Sequence, residues 1–247
     1  FPAAARCNAE KLRYDLHLHS CLSPCGDMDM TPNNLVGMAK LLGYDLIALT
    51  DHNSCLNTPA AVKAGQRLGV TVVPGMELCT REEAHVVCLF PTVEAALDFG
   101  SWVRAHSPKI LNRPEIFGEQ AVLDEEDRPV GKEELLLIAA ADVGIYEVPS
   151  LVKAYGGTAF PAHVDKDSYS ITASLGGIPP EIGFTAAELS PRADREKVLH
   201  LYPELASLRL LQDSDSHYLE NMPDPGAVLE LAENSPECLI ALLNTPV

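Results

Sequence analysis

Positive charge is scarce in this 247-residue chain: 18 lysines and arginines stand against 35 aspartates and glutamates, a formal net charge of −17. A field of that sign repels nucleic acid and anionic membrane surfaces, so stable binding to either is not expected. A small anionic substrate stays compatible with it where positive charge is supplied locally. Long apolar runs are also missing. The longest, LLLIAAA at 135–141, falls far below the ~20 residues that span a bilayer. The N-terminal FPAAARCNAEKLR has no apolar core of the signal-peptide kind. Seven cysteines occur without regular spacing, and no second pair mirrors Cys21 and Cys25. That speaks against a four-thiolate zinc site and suits reduced thiols in a cytoplasmic protein. Neither a glycine-rich phosphate loop nor a serine or cysteine elbow is present, which disfavours covalent catalysis.

What the chain does have is an alternation of short β-like runs with amphipathic stretches. Strands are expected at 13–19, 44–52, 71–78, 84–90, 156–163, 186–190 and 209–215. Helices are expected at 32–43, opened by Thr31-Pro32 and closed by Gly43, at 58–69, ending on Gly69, and at 93–106. Residues 132–157 read as two helices broken near Pro149. The Pro- and charge-rich segment 107–131 interrupts the rhythm as an inserted loop or cap. With 47% hydrophobic residues and no repeat or linker, one α/β domain with a helix-covered parallel sheet is the expectation.

The polar residues fall in a pattern against these strands. His17 and His19 end the first, Asp51 and His52 the second, and Glu77 lies near the end of the third. His163 ends a later strand, and Asp215 and His217 end the last run, RLLQDSDSH. In a parallel barrel such ends converge on one face. His85 opens its strand instead, which suggests that 81–90 runs antiparallel. A strand has period two, so His17 and His19 share a side, roughly 7 Å apart along the chain, and can meet one ion. Six of eight histidines sit at strand termini beside acids; only His106 and His200 lie on helical stretches. Imidazole with carboxylate oxygen suits zinc, manganese or iron at a hydrolytic site.

His17-x-His19, Thr50-Asp51-His52, Glu77, His85, Ala162-His163 and Ser214-Asp215-Ser216-His217 together resemble the ordered motifs of the PHP (polymerase and histidinol phosphatase) family, over roughly Tyr14 to Leu219. The resemblance implies a distorted seven-stranded, TIM-like (β/α)7 barrel, two or three divalent ions, and phosphate-ester hydrolysis by a metal-bridged hydroxide. It implies that His17, His19, Glu77 and Asp215 hold one ion, that His52 and His217 hold a second, and that Glu77 bridges to a third bound by His85 and His163. The family places a further acidic ligand where this chain has Pro24. The loop offers Cys25, Asp27 and Asp29 instead, and Asp27, closest after the Pro-Cys-Gly turn, is the expected choice. Asp51 is expected to orient a neighbouring ligand.

Three divalent ions would reverse the acidic field locally. The implied substrate is a small phosphorylated molecule: a nucleotide, an oligonucleotide end, or a sugar or histidinol phosphate. Arg113, Lys166 and Arg192 are candidate contacts to it, and Ser168 and Tyr169 can hydrogen-bond a sugar or base. Two other readings stand beside this one. A metal-dependent amidohydrolase or deacetylase also begins with His-x-His, but commonly uses a lysine between metals, and none lies at the middle strand ends. A non-catalytic metal-binding scaffold would be marked by lost ligands, whereas nearly the whole set is present. The sequence carries no signal for oligomeric state.

Overall fold

A computed structural model describes residues 9–247. Residues 1–8, with Cys7 and most of the stretch read against a signal peptide, lie outside the described residues. The elements run β1 (Glu10–Leu18), α1 (Pro32–Leu42), β2 (Leu46–Leu49), α2 (Thr58–Leu68), β3 (Thr71–Cys79), β4 (His85–Leu89), α3 (Val93–His106), α4 (Pro114–Phe117), β5 (Ala121–Leu123) and β6 (Pro129–Lys132). There follow α5 (Val148–Ala154), β7 (Thr158–Pro161), α6 (Ile171–Leu175), β8 (Ala186–Leu189), α7 (Arg195–Leu201), β9 (Arg209–Gln212), β10 (Val228–Leu231) and α8 (Pro236–Leu243). The helices stop where local chemistry stops them. Thr31 caps α1 by accepting from the Asn34 amide, Pro32 occupies its first turn, and Gly43 ends it at φ 89°, a conformation with little cost for glycine alone.

Six strands form one curled sheet in the order β10-β1-β2-β3-β4-β7. β1, β2 and β3 are parallel, while β4 runs antiparallel to both β3 and β7. The antiparallel expectation for the His85 strand therefore holds. The physical reason is a tight β3–β4 connection, in which the Glu83 amide donates to Thr80 O and leaves no room for a crossover helix. β8 and β9 form a separate parallel pair. They meet the curl beyond β7, where Val164 N donates to Glu188 O, and beside the end of β1, where His19 N donates to Ser216 O. The ladders thus give a curled half-barrel, not a continuous sheet of seven alternating β/α units.

Inside the curl lies a core drawn from every strand of the main sheet and from β8 and β9: Leu12, Tyr14, Leu16, Leu46, Val73, Val87, Phe160, Leu211 and Leu229 among them, closed by Leu239 and Leu243 of α8. Outside, Leu18, Ile47 and Leu49 pack under α1 and α2. Leu16 and Leu18 thus belong to opposite layers. The β1–β2 register shifts between Asp15 and Leu18, and this irregularity lets His17 follow Leu16 toward the interior.

The segment 107–131 carries α4 and the β5–β6 hairpin, which is braced on the loop after β1: Ala121 N donates to Cys21 O, and Asn57 Nδ2 to Ala121 O. The two helices expected over 132–157 are not both there. Residues 133–147 are irregular and tied to the 107–131 segment, with Leu136 N donating to Ile110 O and Gln120 Nε2 to the Glu133 and Leu135 carbonyls. Pro149 sits in the first turn of α5 and marks its start, not a kink. No helix among the described residues is long and apolar enough to cross a membrane.

Candidate metal centre

The elements deliver their polar residues to one end of the curl. His17 lies within β1 and His19 just after it. His52, three residues beyond β2, forms an isolated bridge with Glu77 of β3. His85 opens β4 opposite Cys79. His163 follows β7 at φ 32° and Asp215 follows β9 at φ 55°, backbone conformations that non-glycine residues hold only when the surroundings impose them.

Glu77, fully buried, stands at the centre. Its Oε1 lies 2.8 Å from His85 Nδ1, 3.2 Å from His17 Nε2 and 3.2 Å from His163 Nε2. Its Oε2 lies 2.9 Å from His52 Nδ1 and 3.3 Å from His19 Nε2. Asp215 Oδ1 lies 3.2 Å from His19 Nε2 and 3.5 Å from His17 Nε2. The ligand atoms fall into three groups whose members lie within 4.8 Å of one another: His17, His19, Glu77 and Asp215; His19, His52 and His217; and His52, Glu77 and His85. His163 reaches the last through Glu77. Yet His17 Nε2, His19 Nε2, His52 Nδ1, Glu77 Oε2 and Asp215 Oδ1 are buried and make no well-directed hydrogen bond. Buried polar atoms almost always find partners, so a convergent set without them fits bound cations.

Behind these side chains sit groups that orient them. Glu188 Oε2 accepts from His17 Nδ1 at 2.8 Å, and its Oε1 accepts from the His163 amide at 3.0 Å. Ser23 Oγ is 2.9 Å from His19 Nδ1 and donates to Asp51 Oδ1 at 2.7 Å. Asp51 also accepts from Ser20 N and Oγ, both at 2.7 Å. It touches His19 only through Ser23. Neither Glu188 nor Ser23 was singled out from the sequence. An acid in the apolar run AAELS was the available signal for the first, and the serine beside the His-x-His turn for the second.

Electrostatics reflect this crowding. Burial drives Glu77 up, but His85, His17 and His52 outweigh it and hold the carboxyl well below its ordinary value. Asp215 is depressed likewise, burial being overcome by His17 and His19. Burial lowers His52 to about 4 and His217 to about 3. For His17, burial is outweighed by Glu188, Glu77 and Asp215, which raise it well above the usual imidazole value.

The cluster opens into a pocket of about 300 Å³, rimmed by Cys25, Ile138, Lys166, Ser168 and Tyr169. Lys166 Nζ donates to Asp215 Oδ2 at 2.7 Å. Tyr169 lies 5.1 Å from the His85 ring. The other candidates lie elsewhere. Asp27 joins none of the three groups; its carboxylate accepts from the Asp29 amide at 2.7 Å. Arg113 precedes α4 and stacks over Phe117, and Arg192 is exposed; neither lines the pocket.

The PHP domain family model matches residues 15–175. The chain belongs to the PHP family. Its match spans β1 through α6, and with it every histidine of the cluster except His217. The PolC-type DNA polymerase III of Listeria welshimeri is 41% identical over 71 residues, 28% of this chain and 5% of that protein. A 5'-3' exoribonuclease of Haemophilus influenzae is 34% identical over 80 residues, 31% of this chain and 28% of that protein. The lesion-specific endonuclease EndoQ of Pyrococcus furiosus shares the fold with a TM-score of 0.67 at 20% identity, over 95% of this chain and 56% of that one. The PHP chain thus spans only part of each of these proteins.

Proposed function

We propose that the chain is a metal-dependent phosphoesterase acting on a nucleotide or an oligonucleotide end, with two or three divalent ions drawn from zinc, manganese and iron. The observation that carries this reading is the nest around Glu77, where buried imidazole and carboxylate atoms converge without hydrogen-bond partners. His17, His19, Glu77 and Asp215 would hold one ion. His52 and His217, with His19, would hold a second, and Glu77, His85 and His163 a third. Bound there, such ions supply Lewis acidity and an acidified water for attack on phosphorus. We place β1–β4 and β7–β9 as the seven staves of a distorted barrel, one domain with 107–131 as its insertion.

The chain's own residues do the remaining work. Glu188 and the Asp51–Ser23 pair fix the ring orientations of His17 and His19. Lys166 brings a positive charge to the rim, within reach of phosphoryl oxygens as well as Asp215. Ser168 and Tyr169 offer hydroxyls to a sugar or base. A 5'-3' exoribonuclease among the relatives and a DNA-lesion endonuclease among the fold neighbours support a substrate derived from nucleic acid. The net charge of −17 favours a short one over a long duplex.

The test is a hydrolysis panel on the full chain before chelation, after it, and after metal is restored. Nucleoside monophosphates, short 5'-phosphorylated oligonucleotides and an aryl phosphate are compared with amides and acetylated sugars. Chelator-sensitive cleavage confined to phosphate esters is expected. Turnover of amides, or phosphate release indifferent to chelation, would contradict the proposal.

A further inference from the structure

The three groups of ligand atoms differ in one respect: His19, His52 and His217 include no acid of their own. Three neutral imidazoles leave a divalent ion without charge compensation and, for tetrahedral zinc, one donor short. The loop after β1 is the segment placed to supply it, and most of its donors are committed elsewhere. The Ser20 and Ser23 hydroxyls donate to Asp51, and the Asp27 carboxylate accepts from the Asp29 amide. Cys25 is the residue of this loop that lines the pocket, beside His52 and His217. His19, grouped with His52 and His217, lies behind that lining; His19 Nε2 and His52 Nδ1 are both unpartnered, on residues only 0% and 5% exposed.

Resting on the metal reading above, we infer that Cys25 is the fourth ligand of the ion held by His19, His52 and His217, bound as a thiolate. Sulfur makes this position selective for zinc over manganese, while the carboxylate-bearing groups stay permissive. On binding, the S–H bond breaks, the S–metal bond forms and the proton leaves to solvent; nothing is oxidised. As placed, Cys25 stands outside the 4.8 Å groups. A single change of staggered rotamer carries Sγ by roughly 3 Å, and the exposed side of the loop leaves it free to turn.

Cobalt(II) is the probe. The full chain, stripped of metal and titrated with cobalt(II), is expected to develop a near-ultraviolet sulfur-to-cobalt charge-transfer band that saturates at one equivalent. Cys25→Ser should lose that band but keep the visible cobalt absorption of the other positions, with zinc affinity at the affected position down about 10-fold or more and manganese binding unchanged. Cys21→Ser, altering a buried thiol beside Asn57, should keep the band. Cobalt bound without a charge-transfer band, or a band surviving in Cys25→Ser, would overturn the thiolate ligand and leave the metal reading standing. Failure to bind cobalt at all would overturn both.

Discussion

Glu188 sets how well His17 can serve as a ligand. Its carboxylate accepts a hydrogen bond from Nδ1–H, which leaves Nε2 as the lone-pair donor facing Glu77 and Asp215 and raises its basicity. Glu188→Gln keeps the shape and loses the charge. Metal affinity at the His17 group is expected to fall about 10- to 100-fold, read by competition with a chromogenic chelator; unchanged affinity would deny Glu188 that role. Protonation follows the same logic. Without metal, burial pulls His17 and His19 down, but the surrounding carboxylates win and raise both. Ligand imidazoles must be neutral, so zinc binding there expels protons near neutral pH, and apparent affinity climbs as pH rises. His52 and His217, lowered by burial to about 4 and about 3, are already neutral and add nothing to this slope. Calorimetry of zinc binding in two buffers of different ionisation heat should show net proton release. Proton uptake would contradict the assignment.

At the scale of elements, the 107–131 segment and the loop after β1 behave as one clasp. Gly118, at φ 98° after α4, faces the Pro24 carbonyl so closely that a Cβ would collide with it. Gly118→Ala is therefore expected to destabilise by about 1–3 kcal/mol, seen as a lower midpoint of thermal unfolding; an unchanged midpoint would show that the clasp yields. Local pattern was a good guide where an element is decided locally. α1, with Thr31-Pro32 at its start and Gly43 at its end, and α3 are present as spacing and capping residues indicate. It misled at LLLIAAA, whose composition suits a helix. There the Leu135 and Leu137 side chains are buried, and the backbone is bonded to Gln120 and Ile110 of the 107–131 segment. Those partners lie 15 to 26 positions earlier in the chain, beyond the reach of any periodicity.

Across the whole molecule, an acidic chain gathers six of its eight histidines into one largely buried cluster at the open end of the curl. The residues that cluster here stood out in the sequence because strand ends in such folds share a face. Glu188, Ser23 and the irregularity in β1 did not, since each matters only once strands far apart in sequence become neighbours. A ligand that binds only the folded state adds stability by linkage, about 2.7 kcal/mol at a hundredfold excess over Kd. For a chain of this size, chelation should lower the unfolding midpoint by about 5–10 °C, and restored zinc should recover it; a midpoint deaf to chelation would place the ions outside the fold. The most direct test of the central claim is metal content per chain, by elemental mass spectrometry, in the wild type and in Glu77→Gln. Glu77 belongs to two of the three ligand groups. The wild type should carry two or three divalent ions, and Glu77→Gln at most the one held by His19, His52 and His217. Equal metal content in the two proteins, or none in either after loading, would contradict the account.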